Sequence, residues 1–127
     1  MGHRIVGHAH DVNLHGHRFK LRVEVRGEVS AATGLVVDFG DIKKFVNIEI
    51  VEKLDHAFML AKDDEIMMRF FAENQNLKHV IVDDAPTSEV ILLWIQNKIQ
   101  KPIEVFGVQL SQLTLWESES SSASLDF

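Results

Sequence analysis

From His15 onward the odd positions carry His15, His17, Phe19, Leu21, Val23 and Val25, while the even ones carry Arg18, Lys20, Arg22, Glu24 and Arg26. This strict period of two predicts one long antiparallel strand to about Val29 with a single buried face. Ser30 to Gly34 reads as a turn, and Leu35 to Phe39 as a short strand returning in a hairpin. Gly40-Asp41 then opens a helix to about Lys53, with Ile42, Phe45, Val46, Ile50 and Leu54 at near-helical spacing. A second, short helix is expected over 63–74 with Ile66, Met67, Phe70 and Phe71 inward, and a β-like run over His79 to Val82.

Pro86-Thr87-Ser88-Glu89 is a helix start in which Thr87 or Ser88 caps, and Val90, Ile91, Leu93, Trp94, Ile95 and Ile99 give a broad apolar face. Pro102 stops this helix. From Ile103 the pattern reads as strand, with Phe106, Val108 and Leu110 on one face, but Leu113, Leu115 and Glu117 fall on the opposite parity. That switch predicts a β-bulge near Ser111-Gln112, or a true break in the strand. The serine-rich 118–124 segment is a turn, and Ala123, Leu125 and Phe127 form a last edge strand.

Composition narrows the function classes. The chain has 127 residues, 46% of them hydrophobic and 25% charged, which suits one soluble domain over 1–127. A net charge of -6 argues against nucleic acid as a partner, although the outer face of the first strand is basic. No apolar run approaches the roughly 18 residues of a membrane span, so no membrane partner and a cytoplasmic location are expected. The absence of cysteine excludes a thiolate zinc site.

The concentrated chemistry is imidazole: five of the seven histidines precede Arg18. On a strand His15 and His17 project to the same side, flanking Gly16, and can share a metal ion if a third ligand joins them. His3, His8 and His10 are the candidates, and three histidines with an open position is the pattern of a catalytic zinc. A solvated histidine-rich loop is the bland alternative, as is square-planar Cu(II) or Ni(II) chelation by Met1-Gly2-His3. Further on, Asp55-His56 places a carboxylate beside an imidazole where the first helix ends.

Several short motifs stand in a telling order: His3-Arg4, His15-Gly16-His17-Arg18-Phe19, Gly34 to Phe39, Leu54-Asp55-His56, Pro86 to Glu89, and Trp116-Glu117. Together they resemble the 6-pyruvoyl-tetrahydropterin synthase and 6-carboxy-tetrahydropterin synthase family over nearly the whole chain. The resemblance implies an α+β tunnelling fold (T-fold), an antiparallel sheet with two helices on one face. It also implies assembly as a homohexamer, a dimer of trimers. It selects His3 with His15 and His17 as ligands of Zn2+, Asp55 and His56 as a proton-transfer pair, and Thr87, Ser88 and Glu89 as substrate-lining residues. It gives Glu117 the recognition of a small-molecule pterin, and a carboxylate can indeed accept two parallel hydrogen bonds from a ring N–H and an exocyclic amino group.

Three departures stand against the family pattern. Where the family presents a catalytic cysteine shortly before His-Gly-His, this chain has Asp11, a far weaker base than a thiolate. The family has a strand before its first zinc histidine, whereas this sequence begins two residues ahead of His3, so either the natural start lies upstream or His8 or His10 has taken over as the third ligand. Leu60 replaces the asparagine usual after Leu-Asp-His. The implied activity is zinc-dependent conversion of the side chain of 7,8-dihydroneopterin triphosphate, a lyase reaction. The alternatives are retro-aldol cleavage to a 6-hydroxymethyl pterin, or a non-catalytic pterin- or metal-binding oligomer.

Overall fold

The computed structural model describes residues 1–127 as an α+β fold. Its strands are β1 Gly2–His3, β2 His15–Gly16, β3 Lys20–Arg26, β4 Phe58–Ala61, β5 His79–Val82, β6 Gln109–Trp116 and β7 Ser122–Asp126. Its helices are α1 Phe39–Val46, α2 Glu52–Leu54, α3 Glu65–Glu73 and α4 Ser88–Ile99; a π segment, Asn47–Val51, fuses α1 and α2 into one run. The strands form two sheets, a three-stranded antiparallel β3-β6-β7 and a four-stranded β2-β1-β4-β5 in which β1, β4 and β5 run parallel.

The alternation from His15 to Val25 survives, but the strand does not stay in one sheet. At residues 17–19 it leaves β1 and joins β6, so the expected single strand becomes β2 and β3. Gly16 permits the first pairing, since a Cβ there would stand 3.1 Å from the Met1 carbonyl oxygen. The expected bulge is present: Glu24 pairs with Gln112 and Val25 with Leu110, leaving Ser111 as the extra residue. The register shift lets Leu110, Leu113 and Leu115 all reach the core.

Four expectations are corrected. Residues 35–39 form no strand; the chain turns through a Ser30 N–H bond to the Leu35 carbonyl, and Asp38 then captures the Gly40 N–H at 2.6 Å to open α1. Residues 102–106 form a 3-10 helix beginning at Pro102 and ended by Gly107 at φ 74°, so β6 starts only at Gln109. In α3 only Met67 and Phe71 are buried, while Ile66 and Phe70 face solvent. The single antiparallel sheet is two sheets, because β4, which the pattern did not announce, inserts between β1 and β5. Buried on both faces, a parallel interior strand reads as the unbroken run Phe58-Met59-Leu60-Ala61 and shows no alternation.

The main core joins both sheets through α4. Ile91, Leu92, Ile95 and Ile99 meet Met59 and Val82 of one sheet and Leu110, Leu113 and Leu115 of the other, with Ile50 from the π segment. Thr87 caps α4 by accepting from the Val90 N–H. Because Leu113 is wholly buried at this junction, Leu113→Ala should destabilise the fold by about 2–5 kcal/mol. Leu113→Met, which conserves volume, should lose less than about 1.5 kcal/mol, and chemical denaturation of both variants checks the contrast.

A histidine cluster in a hydroxyl-lined cleft

Antiparallel pairing of β1 with β2 sets His3 opposite His15, and Met1 and His17 exchange backbone hydrogen bonds just beyond. The consequence is a cluster of His3, His15 and His17, one ligand atom of each lying within 4.8 Å of the others. Phe19 stands edge-on to His3 and His17 and closes the apolar side. His8 and His10 are exposed and outside the group.

Hydrogen bonds fix two of the ring tautomers. His3 Nδ1 lies 2.8 Å from the Pro86 carbonyl oxygen and His15 Nδ1 lies 2.7 Å from that of Asn13. A carbonyl only accepts, so each Nδ1 carries the proton and each Nε2 keeps a lone pair. His3 Nε2 and His17 Nε2 are buried with no hydrogen-bond partner. Each such orphan costs roughly 1–3 kcal/mol, and a shared metal ion relieves them together. Burial holds the His3 imidazole below its usual 6.5, the nearby His15 and His17 push the same way, and the bond to Pro86 opposes them. His3 is therefore neutral at pH 7, as a ligand must be. The donor set, three imidazoles and no thiolate, suits zinc and leaves a position open.

Around the cluster lies a cleft of about 280 Å³ whose walls include His3, Asp11, His15, Thr87, Ser88, Glu89 and Glu117, with Ser121 from the turn before β7 and Ser122 at the start of that strand. Asp11 places one oxygen 4.0 Å from His15 Nε2 and the other 2.9 Å from His8 Nδ1. Ser88 Oγ donates to Glu117 Oε2 at 3.0 Å, and the other Glu117 oxygen stands 3.4 Å from His17 Nε2, an ion-pair distance without hydrogen-bond alignment. Thr87, Ser88 and Glu89 are there because the α4 cap presents its first turn to β6.

Asp55 and His56 are placed differently. His56 Nδ1 is 3.1 Å from Asp55 Oδ1, but the His56 side chain is 91% exposed and lines no part of the cleft. Asp55 instead borders a neighbouring, mostly apolar groove that also touches His17. Lys78 Nζ donates to the Glu52 and Asp55 carbonyls at the end of α2, and His56 follows at φ 57°. Sequence reasoning missed this clamp, the Pro86 carbonyl behind His3, and the ion pair of Arg4 with Asp64. In that pair burial alone would raise the Asp64 carboxyl, yet the Arg4 hydrogen bonds and the Met67 N–H outweigh it and hold the group below its usual 3.8. Only Asp64 carried a legible signal, as an N-cap residue three before Met67.

Comparison with known proteins agrees with this architecture. Residues 1–126 match the family model described as 6-pyruvoyl tetrahydropterin synthase. The 6-carboxy-5,6,7,8-tetrahydropterin synthase of Haemophilus influenzae is 32% identical over 127 residues, covering 95% of this chain and 88% of that protein. The dihydroneopterin monophosphate aldolase of Pyrococcus furiosus is 35% identical over 114 residues, 90% of this chain and 79% of that one. A crystal structure of an uncharacterized protein from Wolinella succinogenes superposes with a TM-score of 0.84 at 24% identity, covering 98% of this chain and 91% of that one, and so shares the fold. On a family match that spans all but the last residue, with these relatives beside it, this chain belongs to the 6-pyruvoyl tetrahydropterin synthase family.

Proposed function

We propose that the chain, as one domain over 1–127, is a zinc-dependent lyase that converts the side chain of 7,8-dihydroneopterin triphosphate in the manner of a 6-pyruvoyl- or 6-carboxy-tetrahydropterin synthase. The observation that carries this reading is the group of a buried His3 with half-buried His15 and His17, in which the Nε2 atoms of His3 and His17 lack a hydrogen-bond partner. Zinc bound there supplies a Lewis acid that polarises the hydroxyl oxygens of the substrate side chain and makes its carbon-bound protons easier to remove. Glu117 anchors the pterin by accepting two parallel hydrogen bonds, and Ser88, already bonded to it, holds the carboxylate in place. Thr87 and Glu89 border the ring. Asp11, in the cleft beside His15, takes the place of a base near the reacting carbons.

Asp55 orients His56 for proton transfer through their 3.1 Å contact. Because His56 lies outside the cleft of its own chain, its part requires a second copy to bring the exposed imidazole there. This fits a cytoplasmic homohexamer, a dimer of trimers, and the outer strands β2, β5, β3 and β7 offer unpaired edges for it. Sedimentation as a stable monomer at micromolar concentration contradicts the assembly.

A second reading, retro-aldol cleavage to a 6-hydroxymethyl pterin, is favoured by Asp11 standing where a cysteine is expected and by the similarity to the Pyrococcus furiosus aldolase. Zinc-loaded protein incubated with 7,8-dihydroneopterin triphosphate, with products identified by mass spectrometry, separates the two. A 6-pyruvoyl or 6-carboxy product supports the first reading, a 6-hydroxymethyl pterin the second, and binding without turnover leaves a pterin- or metal-binding oligomer. Glu117→Gln keeps the shape but sets an amide donor against a ring donor, so dihydropterin affinity should fall about ten- to a hundredfold with metal content unchanged. Equal affinities by calorimetry would remove Glu117 from the site.

A further inference from the structure

Arg4 leaves β1 directly after His3, and its guanidinium reaches across to Asp64. Nε donates to Oδ2 at 2.6 Å and Nη2 to Oδ1 at 2.9 Å, with the two side chains 13% and 2% exposed. Asp64 is at the same time the N-cap of α3, accepting the Met67 N–H at 3.2 Å. Nη1 of Arg4 donates to the Val12 carbonyl at 3.4 Å, and the next residue, Ile5, donates its N–H to the Asp11 carbonyl at 2.7 Å. One planar fork thus fastens three segments that are remote in sequence: the strand ending in His3, the loop carrying Asp11, and the start of α3. Neither Arg4 nor Asp64 lines the cleft.

We propose that the Arg4–Asp64 pair is a positioning device that fixes where His3 and Asp11 stand relative to His15. The proposal rests on the reading of His3, His15 and His17 as a metal site. A two-bonded fork sets both distance and angle, which a lysine's point charge does not. Stability alone gives little reason for such a pair, since a buried ion pair is often matched or surpassed by apolar side chains of similar volume. What the fork adds is geometry, one residue away from the most buried imidazole of the cluster.

The test uses the full chain freed of metal and titrated with Co(II) alone, whose d–d absorption reports the ligand geometry. Arg4→Lys keeps the charge and loses the fork, and Arg4→Met/Asp64→Leu replaces the pair by apolar side chains. In both the Co(II) dissociation constant should rise about ten- to a hundredfold, with displaced absorption bands and far-ultraviolet dichroism unchanged. Wild-type affinity and bands in either folded variant would overturn the proposal, and so would loss of fold in both, which marks the pair as structural only. His15→Ala is the control. If it binds Co(II) as the wild type does, the metal reading fails instead; if it loses Co(II) while Arg4→Lys does not, positioning alone fails.

Discussion

His3 is wholly buried, commits one ring nitrogen to a backbone carbonyl, and leaves the other pointing at two further imidazoles. A folded chain tolerates such an arrangement only where many contacts over-determine it, because every orphaned lone pair is a loss against water. Much of the four-stranded sheet does this work. β1 is two residues long, yet it is paired on both sides, by β2 and by β4, and its end is pinned by the Pro86 carbonyl and by the fork to Asp64. The cleft inherits its shape from this fixed point.

The second constraint is the change of partner at residues 17–19. One alternating stretch serves two sheets, supplying two of the clustered imidazoles next to β1 and core side chains where it pairs with β6. Because side chains keep their two-residue period through the crossing, the row that begins as His15 and His17 continues as Phe19, Leu21 and Val23 without changing face. The histidine-bearing face and the hydrophobic face are therefore one surface, and α4, packed against it, delivers Thr87 and Ser88 to the cleft by its capped first turn. Chemistry and core are built by the same elements.

How far the sequence announces this depends on whether the determining contact is local. The strand period, the α4 cap at Thr87, the Ser111 bulge and the edge strand β7 are set by near neighbours and were readable. His15 and His17 were readable as a pair for the same reason, while His3 entered as the third member only through the family resemblance. Residues 35–39 and 103–106 have strand-like apolar spacing, but a carboxylate at Asp38 and a proline at 102 decide those segments. β4 was silent because burial on both faces erases alternation. Arg4 with Asp64 and His3 with Pro86 bring together residues 60 and 83 positions apart, and no local pattern carries that information.

Those separations also order events in time. Non-local contacts form late, since the chain must close long loops before it gains from them. Gly2 and His3 find their strand partners at Phe58 and Met59, and His3 its carbonyl at Pro86, only once those distant segments are in place. The cluster is thus completed near the end of folding, by the docking of a two-residue strand. Because β1 contributes His3 through only two paired residues, separation of that strand from β2 and β4 would by itself take His3 away from His15 and His17.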